Sequence, residues 1–245
     1  MSHSGPGAAA GYFIKDGYRP NEVLLTQDEV SGEFYWNERR LGLSESYQYP
    51  VYRLAGKLIT RDAIERVIDV GCGVATKLAQ LAVEHPRVEF VGIDQPATIE
   101  FCRRRYRFGR WIADNLEDPD PALAGISGDL VICSDVIEHM RDPDILLAYL
   151  KRRTRNGGRV LLSTPERDLL RGRECDHSPN RYHVREWNRH ELQAYLRASG
   201  FLIQEHLMQL PVRAEFSRLF YSHVLKRVFK NRPIRWNQTC LLEVA

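Results

Sequence analysis

The sequence predicts an α/β protein built on a doubly wound sheet. Residues 66–81 read RVIDVGCGVATKLAQL, a short β-branched run, a glycine turn and a helical pattern, which together form the first half of a βαβ unit. Short apolar runs then alternate with helical patterns, as expected of a sheet covered by helices on both faces. The 245 residues, 43% of them hydrophobic, suffice for one full-sized core, so we predict a single domain.

The predicted strands are apolar runs that end in turn residues. Seven such runs occur, at residues 67–70, 88–93, 110–113, 129–134, 159–164, 201–210 and 238–244. Helical spacing is seen at residues 44–62, 78–82, 97–107, 143–153, 191–198 and 216–229. The last of these helices is amphipathic and basic, and we expect it to pack on the sheet; binding to a membrane surface or a partner is the alternative.

Three segments divide the chain. Residues 1–11 are small, polar and glycine-rich, which predicts a disordered tail. Residues 12–62 contain many aromatics, including Phe34, Tyr35 and Trp36, and are predicted to cap the mouth of the site, although ordinary packing explains them equally well. Residues 63–245 form the main domain, in which the polar stretch 165–188 is a loop long enough to carry function.

Composition limits the function classes only weakly. A net charge of +3 and a pI near 8.6 are mildly basic, so they neither require nor exclude a nucleic-acid partner. The five cysteines have no C-x-x-C spacing, which indicates free thiols in a reducing compartment. We find no apolar run long enough to span a bilayer and no signal peptide, and we therefore expect a cytoplasmic protein.

The sequence of the glycine turn after the first strand limits which classes of ligand can bind there. It lacks G-x-x-x-x-G-K-[ST], so a P-loop is excluded, and Thr76 stands where a dinucleotide fingerprint needs its last glycine. The remaining D-x-G-x-G motif, Asp69 to Gly73, resembles the class I S-adenosylmethionine (SAM)-dependent methyltransferases, with Ala75 at their third glycine. The resemblance implies a Rossmann-like sheet of order 3-2-1-4-5-7-6, a last strand that is antiparallel, and SAM as cofactor.

Polar residues at the strand ends fit the same resemblance. Asp94 follows the second strand, where the family holds the ribose hydroxyls; the alternative is a helix N-cap. Asp114 and Asn115 follow the third strand, where the family recognises the adenine amino group with an acid; the alternative is that the pair only forms a turn. Arg53 would meet the methionine carboxylate, or it is simply a solvated helix residue. The predicted cofactor residues are Gln48, Arg53, Asp69, Gly71, Cys72, Gly73, Asp94, Gln95, Asp114, Asn115 and Ser134.

The reacting centre is predicted after the fourth strand. In a helical turn Asp135, Glu138 and His139 would share one face, and the long loop adds His183. Two mechanisms remain open. Either His139 or His183, assisted by Asp135, is a general base for an acceptor hydroxyl, or all four residues hold a divalent ion such as Mg²⁺ or Mn²⁺ that polarises it.

Two further resemblances concern metal and substrate. The patches D-V-I-E-H and H-V-R-E-W are similar to metal-binding patches of small-RNA 2′-O-methyltransferases. The wider pattern of YQYPVYRLA, TPERD and HVREWN looks like bacterial methyltransferases that modify sugars of polysaccharides or glycosylated metabolites. We therefore expect O-methylation of a small-molecule or oligosaccharide acceptor. The alternatives are RNA 2′-O-methylation and a non-catalytic SAM-fold partner subunit, and a homodimer is left open.

Overall fold

The computed structural model describes residues 10–22, 44–123, 125–215 and 217–245. They contain a seven-stranded sheet of order β3-β2-β1-β4-β5-β7-β6. β7 pairs antiparallel with β5 and β6, and the other pairs are parallel. The predicted fold class and strand order are confirmed. The strands are β1 Arg66–Val70, β2 Glu89–Asp94, β3 Arg110–Ala113, β4 Gly128–Ser134, β5 Thr154–Pro165, β6 Phe201–Gln209 and β7 Asn237–Val244.

Helices cover both faces of this sheet. They are α1 Tyr49–Asp62, α2 Thr76–Glu84, α3 Pro96–Arg105, α4 Pro143–Arg153, α5 Arg167–Leu170 and α6 Arg189–Ala198. In β4, Leu130 and Ile132 pack with α1–α3, whereas Val131 and Cys133 pack with α4 and α6. Both faces of the strand are therefore buried, which explains its nearly continuous apolar sequence.

The differences from prediction are largest at α1, at β5 and in the last predicted helix. α1 begins at Tyr49, with Pro50 in its first turn, so residues 44–48 of the predicted helix are not helical; proline fits there because its missing N–H would have no helical partner. β5 begins at Thr154, earlier than the predicted start at residue 159, and has a bulge against β4. The predicted helix at 216–229 is broken into Arg218–Phe220, a π-helical turn Tyr221–Leu225, and Lys226–Phe229.

The described N-terminal residues 10–22 lie against the long loop at residues 165–188. The Trp187 indole donates to the Tyr12 carbonyl at 2.9 Å. The Asn21 amide donates to the carbonyls of Ser178, Asn180 and His183 at 2.9, 3.1 and 2.9 Å. This part of the predicted cap therefore braces the loop that carries His183. Phe34, Tyr35, Trp36 and the predicted tail as far as residue 9 lie outside the described residues.

All five cysteines are free thiols, as predicted, and four of them are buried: Cys72, Cys102, Cys133 and Cys240. The burial of Cys72 and Cys133 in the core raises the pKa of each thiol, which keeps the sulfur neutral. Within the described ranges, none of the helices combines the length and the apolar character that a membrane span requires.

Candidate active site

The glycine turn after β1 is closed by the tip of β2. The Gly71 N–H donates to the Ile93 carbonyl at 2.8 Å, and the Gly73 N–H donates to Oδ2 of Asp94 at 2.8 Å. Gly71 has φ +75°, and a Cβ there would lie 2.4 Å from Cγ2 of Val136. Only glycine satisfies both the positive φ and this close approach, so the turn is fixed at the switch point between β1 and β4.

Asp94 lies at the edge of this turn and is only partly exposed. Its Oδ1 accepts from the Gln95 N–H at 2.8 Å, and burial raises the pKa of the carboxyl group. The N-cap residue of α3 is Gln95, so the alternative in which Asp94 caps the helix is wrong. Cys72 is buried within the same turn. The two backbone N–H groups hold the Asp94 carboxylate in one orientation at the crevice.

Asp114, at the tip of β3, is buried and has several partners within the protein. It is 5% exposed, and its carboxylate accepts from the Tyr149 hydroxyl at 2.7 Å and the Asp120 N–H at 3.0 Å, with Arg153 3.8 Å away. These partners hold the carboxylate in the interior of the protein, and the predicted contact with adenine stays a prediction. Asn115 is exposed at the same tip and remains available for the adenine contact.

Asp69, at the end of β1, is fully buried. Oδ2 accepts from the Tyr52 hydroxyl at 2.8 Å, whereas the buried Oδ1 has no hydrogen-bond partner among the residues that the structure describes. Burial raises the pKa of this carboxyl group to about 7. A buried oxygen without a partner carries a large desolvation cost, so Oδ1 is suited to accept a hydrogen bond from a ligand.

Lys77 is the cation of this part of the site, and the sequence analysis missed it. Its Nζ donates to the Ser44 carbonyl at 2.8 Å and lies 5.0 Å from the centre of the Tyr52 ring. Burial lowers the pKa of Lys77 to about 8, against the opposing effect of the carboxylates of Asp69 and Asp135. The predicted cation, Arg53, is exposed on the outer side of α1. A lysine in the first turn of the helix after the glycine motif was the available signal.

Asp135 follows β4 in a left-handed conformation with φ +54°. Its Oδ1 accepts from Ser163 Oγ and Asn237 Nδ2, both at 2.9 Å, and its Oδ2 accepts from Gln48 Nε2 at 2.8 Å. The Ser134 hydroxyl lies 2.8 Å from that of Ser163. A positive φ at a residue other than glycine stores strain and is typical of functional sites; here three donors from distant segments hold it in place.

The turn that follows brings three of the four predicted ligands together. It is a 3₁₀ helix over Ile137–His139, so Asp135 lies before it and the predicted shared helical face is wrong. Carboxylate and imidazole atoms of Glu138, His139 and His183 lie within 4.8 Å of one another. Asp135 is held apart from this group by its own hydrogen bonds.

Glu138 is the buried acid of the cluster. Its Oε2 accepts from Thr164 Oγ1 at 2.9 Å, and Oε1 is buried without a hydrogen-bond partner in the described part of the chain. Burial, and secondly the charge of Asp135, raise the pKa of Glu138 well above its ordinary value. Burial and this neighbouring charge therefore favour the neutral form of the carboxyl group, and a bound cation would favour the ionised form.

Both imidazoles are oriented through Nδ1. His139 Nδ1 lies 2.7 Å from the Tyr182 carbonyl, and His183 Nδ1 lies 2.7 Å from Oε1 of Glu186. Because a carbonyl and a carboxylate can only accept, each Nδ1 carries a proton, and in a neutral ring the lone pair then lies on Nε2. Burial alone would raise the pKa of Glu186, but hydrogen bonds from His183 and Arg171 lower it to about 2, so it stays an acceptor.

The match to a family model shows which protein family the chain belongs to. Residues 35–206 match the model described as a methyltransferase domain. The chain belongs to the methyltransferase family. Two mycobacterial relatives carry the name probable S-adenosylmethionine-dependent methyltransferase, and the fold and glycine turn agree with it. The enzyme is therefore a SAM-dependent methyltransferase.

The relatives cover much of this methyltransferase but extend beyond it. The protein from Mycolicibacterium smegmatis is 31% identical over 198 residues, which is 78% of this chain and 70% of that protein. The protein from Mycobacterium tuberculosis is 30% identical over 178 residues, 72% of this chain and 59% of its own length. A mitochondrial ubiquinone biosynthesis O-methyltransferase of Schizosaccharomyces pombe is 26% identical over 113 residues, 43% of this chain and 40% of that protein.

Among solved structures, the methyltransferase resembles a chain from the Haloferax volcanii complex between the Trm112 methyltransferase activator and a methyltransferase. The TM-score is 0.67 with 14% identity, over 90% of this chain and 99% of the other. At that identity the likeness shows the fold alone. The chemistry of the methyltransferase must therefore be argued from its own site.

Proposed function

We propose that this methyltransferase moves the methyl group of SAM to a sugar hydroxyl of a glycan or glycosylated metabolite, with a divalent ion held by Glu138, His139 and His183. The observation that carries the proposal is the convergence of two oriented imidazoles on one buried carboxylate beside the tip of β4. The name of the Schizosaccharomyces pombe relative, an O-methyltransferase, supports oxygen as the acceptor atom.

In this proposal SAM, the methyl donor, occupies the crevice at the tips of β1 and β2. Asp94, oriented by two backbone N–H groups, accepts from the ribose hydroxyls, and Asn115 meets the adenine. At the methionine end, Oδ1 of Asp69 accepts from the α-ammonium group, and Lys77 pairs with the carboxylate. This assignment gives the otherwise unpartnered Asp69 oxygen a donor and places the ligand carboxylate beside a cation, as a zwitterionic ligand requires.

The residues of the cluster fit a divalent ion. Two neutral imidazoles and one carboxylate suit Mn²⁺, Fe²⁺ or Zn²⁺, and Mg²⁺ when waters complete its shell. Ionisation of Glu138, which burial opposes, becomes favourable beside a cation. When bound, such an ion supplies a Lewis acid that lowers the pKa of an acceptor hydroxyl. Asp135, the fourth predicted ligand, instead fixes Gln48 and Asn237 at the border of the site.

Hydrogen bonds within the protein orient the two imidazole rings of the site. Glu186 holds the His183 ring through Nδ1, and Arg171 and Ser178 hold Glu186 in turn, so the lone pair on Nε2 has a fixed direction. The Tyr182 carbonyl does the same for His139. Without an ion, His139 Nε2 would accept the hydroxyl proton as general base. Both arrangements require a weakly acidic acceptor such as an alcohol.

A sugar fits the border of the cluster. The loop at residues 165–188 contacts the cluster through the Tyr182 carbonyl and also carries the exposed polar side chains of His177 and Arg181, and residues 10–22 brace it. Sugars bind to such surfaces through hydroxyl hydrogen bonds and aromatic stacking. RNA 2′-O-methylation would use the same chemistry but gain its affinity from phosphates, which gives it a steep dependence on salt.

Transfer of labelled methyl groups from SAM onto sugars, oligosaccharides and RNA tests the proposal. We expect transfer to a saccharide hydroxyl, loss of activity with EDTA, and recovery with Mn²⁺ or Mg²⁺. Transfer to RNA alone would overturn the saccharide assignment. Failure to bind SAM in a calorimetric titration would indicate a non-catalytic subunit.

Metal binding has a readout that does not depend on the acceptor. Calorimetric titration with Mn²⁺ should show one site in the wild type and none in Glu138→Gln. The matched control is His177→Ala, since His177 is an exposed histidine of the same loop that lies outside the cluster. Equal Mn²⁺ affinity in the wild type and Glu138→Gln would reject the proposed ligands.

A further inference from the structure

The segment at residues 217–236, which we call the basic segment, concentrates the positive charge of the protein. It contains six of the Lys and Arg residues and no Asp or Glu. Because the whole chain carries +3, the rest of the chain is net negative, by three charges. The charge of the basic segment is therefore a local feature and does not follow from overall composition.

The inner side of the basic segment is anchored to the protein. Leu219 and Val224 are buried with Val212 in a small apolar cluster. The His223 ring hydrogen-bonds the Tyr47 hydroxyl at 2.7 Å, and Arg227 donates to the carbonyl groups of residues 169, 170 and 233. These contacts give the segment a fixed orientation on the body of the enzyme.

Its outer side combines cations with large apolar side chains. Tyr221, Val228 and Phe229 are 54%, 53% and 79% exposed, and Val228 and Phe229 are neighbours in the short helix Lys226–Phe229. Five exposed cations flank them without an ion pair in the described part of the chain: Arg218, Lys226, Lys230, Arg232 and Arg235. Apolar side chains outside the core carry a hydration cost that binding would remove.

We infer that the basic segment docks on the surface of an anionic lipid bilayer. An apolar strip bordered by Lys and Arg is the pattern of helices that lie in the headgroup region, where the apolar side chains enter the acyl boundary and the cations meet phosphate groups. A surface that binds nucleic acid would need cations along the path of the phosphates, and the exposed side chain of Val228 would make no favourable contact with them. A protein partner would have to supply both the acids and the apolar surface.

The position of the basic segment connects docking to the active site. Its last residue, Trp236, precedes Asn237, which donates to Asp135, and its partner Tyr47 precedes Gln48, which donates to the same carboxylate. Two residues at this border of the active site therefore adjoin the basic segment or its partner in sequence. The inference goes beyond the proposed function and does not depend on the identity of the acceptor.

Vesicle flotation tests the inference with the full chain. The protein is mixed with vesicles of phosphatidylcholine alone or with added phosphatidylglycerol, at low and high salt. We expect at least tenfold stronger partition onto the phosphatidylglycerol vesicles, weakened by salt. Soluble glycerol phosphate should fail to displace the protein, because the bilayer and not a free phosphate is the ligand. Equal partition onto both vesicles would overturn the inference.

Paired variants localise the binding surface. The double variants Val228→Ser/Phe229→Ser and Lys226→Glu/Lys230→Glu should each lower partition at least tenfold. Their controls, Val83→Ser/Phe101→Ser and Arg104→Glu/Arg107→Glu, change exposed residues elsewhere and should bind as the wild type does. Unchanged affinity for S-adenosylhomocysteine shows that each variant is folded. Undiminished partition in both variants of the basic segment, or displacement of the protein from vesicles by an oligonucleotide, would contradict the inference.

Discussion

Replacement of Lys77 by methionine tests the methionine end of the donor site. The variant keeps an unbranched side chain of similar length, so contact with the Tyr52 ring is largely retained while the charge is lost. The Lys77 ammonium has three N–H donors, and one of them goes to the Ser44 carbonyl. At least one donor is therefore available for a ligand carboxylate without breaking a contact in the protein.

The expected loss follows from the kind of contact. A hydrogen bond to a charged group contributes about 1.5–3 kcal/mol, and solvent screening at this partly exposed site favours the lower half of that range. Since about 1.4 kcal/mol is tenfold in Kd, we expect the Lys77→Met variant to bind S-adenosylhomocysteine roughly 10- to 40-fold more weakly than the wild type.

Calorimetry with two ligands separates this effect from general damage. 5′-Methylthioadenosine lacks the amino-acid moiety, so the variant and the wild type should bind it equally well. Lys57→Met, an exposed lysine on α1, is the matched control and should change neither affinity. The reasoning is refuted if Lys77→Met binds S-adenosylhomocysteine as tightly as the wild type, or if the affinities for both ligands fall by the same factor.

The same site gives a pH dependence with a defined sign. Burial lowers the pKa of Lys77 to about 8, so the ammonium is charged below pH 8 and loses its charge above it. A bound carboxylate favours the charged form and raises the pKa of Lys77 in the complex. Binding of S-adenosylhomocysteine should therefore take up protons near pH 8 in the wild type, and the additional uptake should be absent in Lys77→Met, in which the ligand's own titration is unchanged.

The remaining predictions concern four other positions. Asp94→Ala should weaken SAM binding at least about tenfold, through loss of a charged acceptor for the ribose; unchanged calorimetric affinity would contradict the ribose assignment. His139→Ala should lower kcat by at least about 100-fold with SAM affinity preserved, and a variant that retains most of its kcat would end that role. Glu186→Gln should impair turnover by disorienting His183. It should also remove a pH-dependent part of stability: the folded pKa of about 2 lies below the ordinary 4.5, so the stabilisation is present above pH 4.5 and lost as the pH falls toward 2, which thermal melts in acid can measure. Gly71→Ala should destabilise the protein by more than Gly157→Ala, since both glycines have φ +75° but only the former would place a Cβ 2.4 Å from a side chain; equal melting temperatures would refute the steric argument.

The seven strands were predictable because each has a recognisable local pattern in the sequence. Strands of a doubly covered sheet are nearly continuous apolar runs, and those at residues 67–70 and 129–134 end at the glycine turn and at Asp135. The helix break near Tyr221 has no such pattern, because helical spacing continues through residues 216–229.

Side-chain roles at the site were less predictable because their partners lie far away in sequence. Asp114 faces inward on account of Tyr149 and Arg153 in α4, and nothing near Asp114 reveals it. Glu138 and His139 were identified from the motif after β4, but the separate position of Asp135 depends on donors from Gln48, Ser163 and Asn237. Residue types predicted which chemistry is present, whereas tertiary contacts decide which atoms take part.

The most direct test of the account is a crystal structure of the chain with bound S-adenosylhomocysteine. We predict that the ribose hydroxyls bond to Asp94, that the homocysteine carboxylate lies beside Lys77, and that the sulfur faces the border formed by Asp135 and His139. A ligand whose sulfur points away from that border, or that lies outside the crevice of β1 and β2, would contradict the proposed site of methyl transfer.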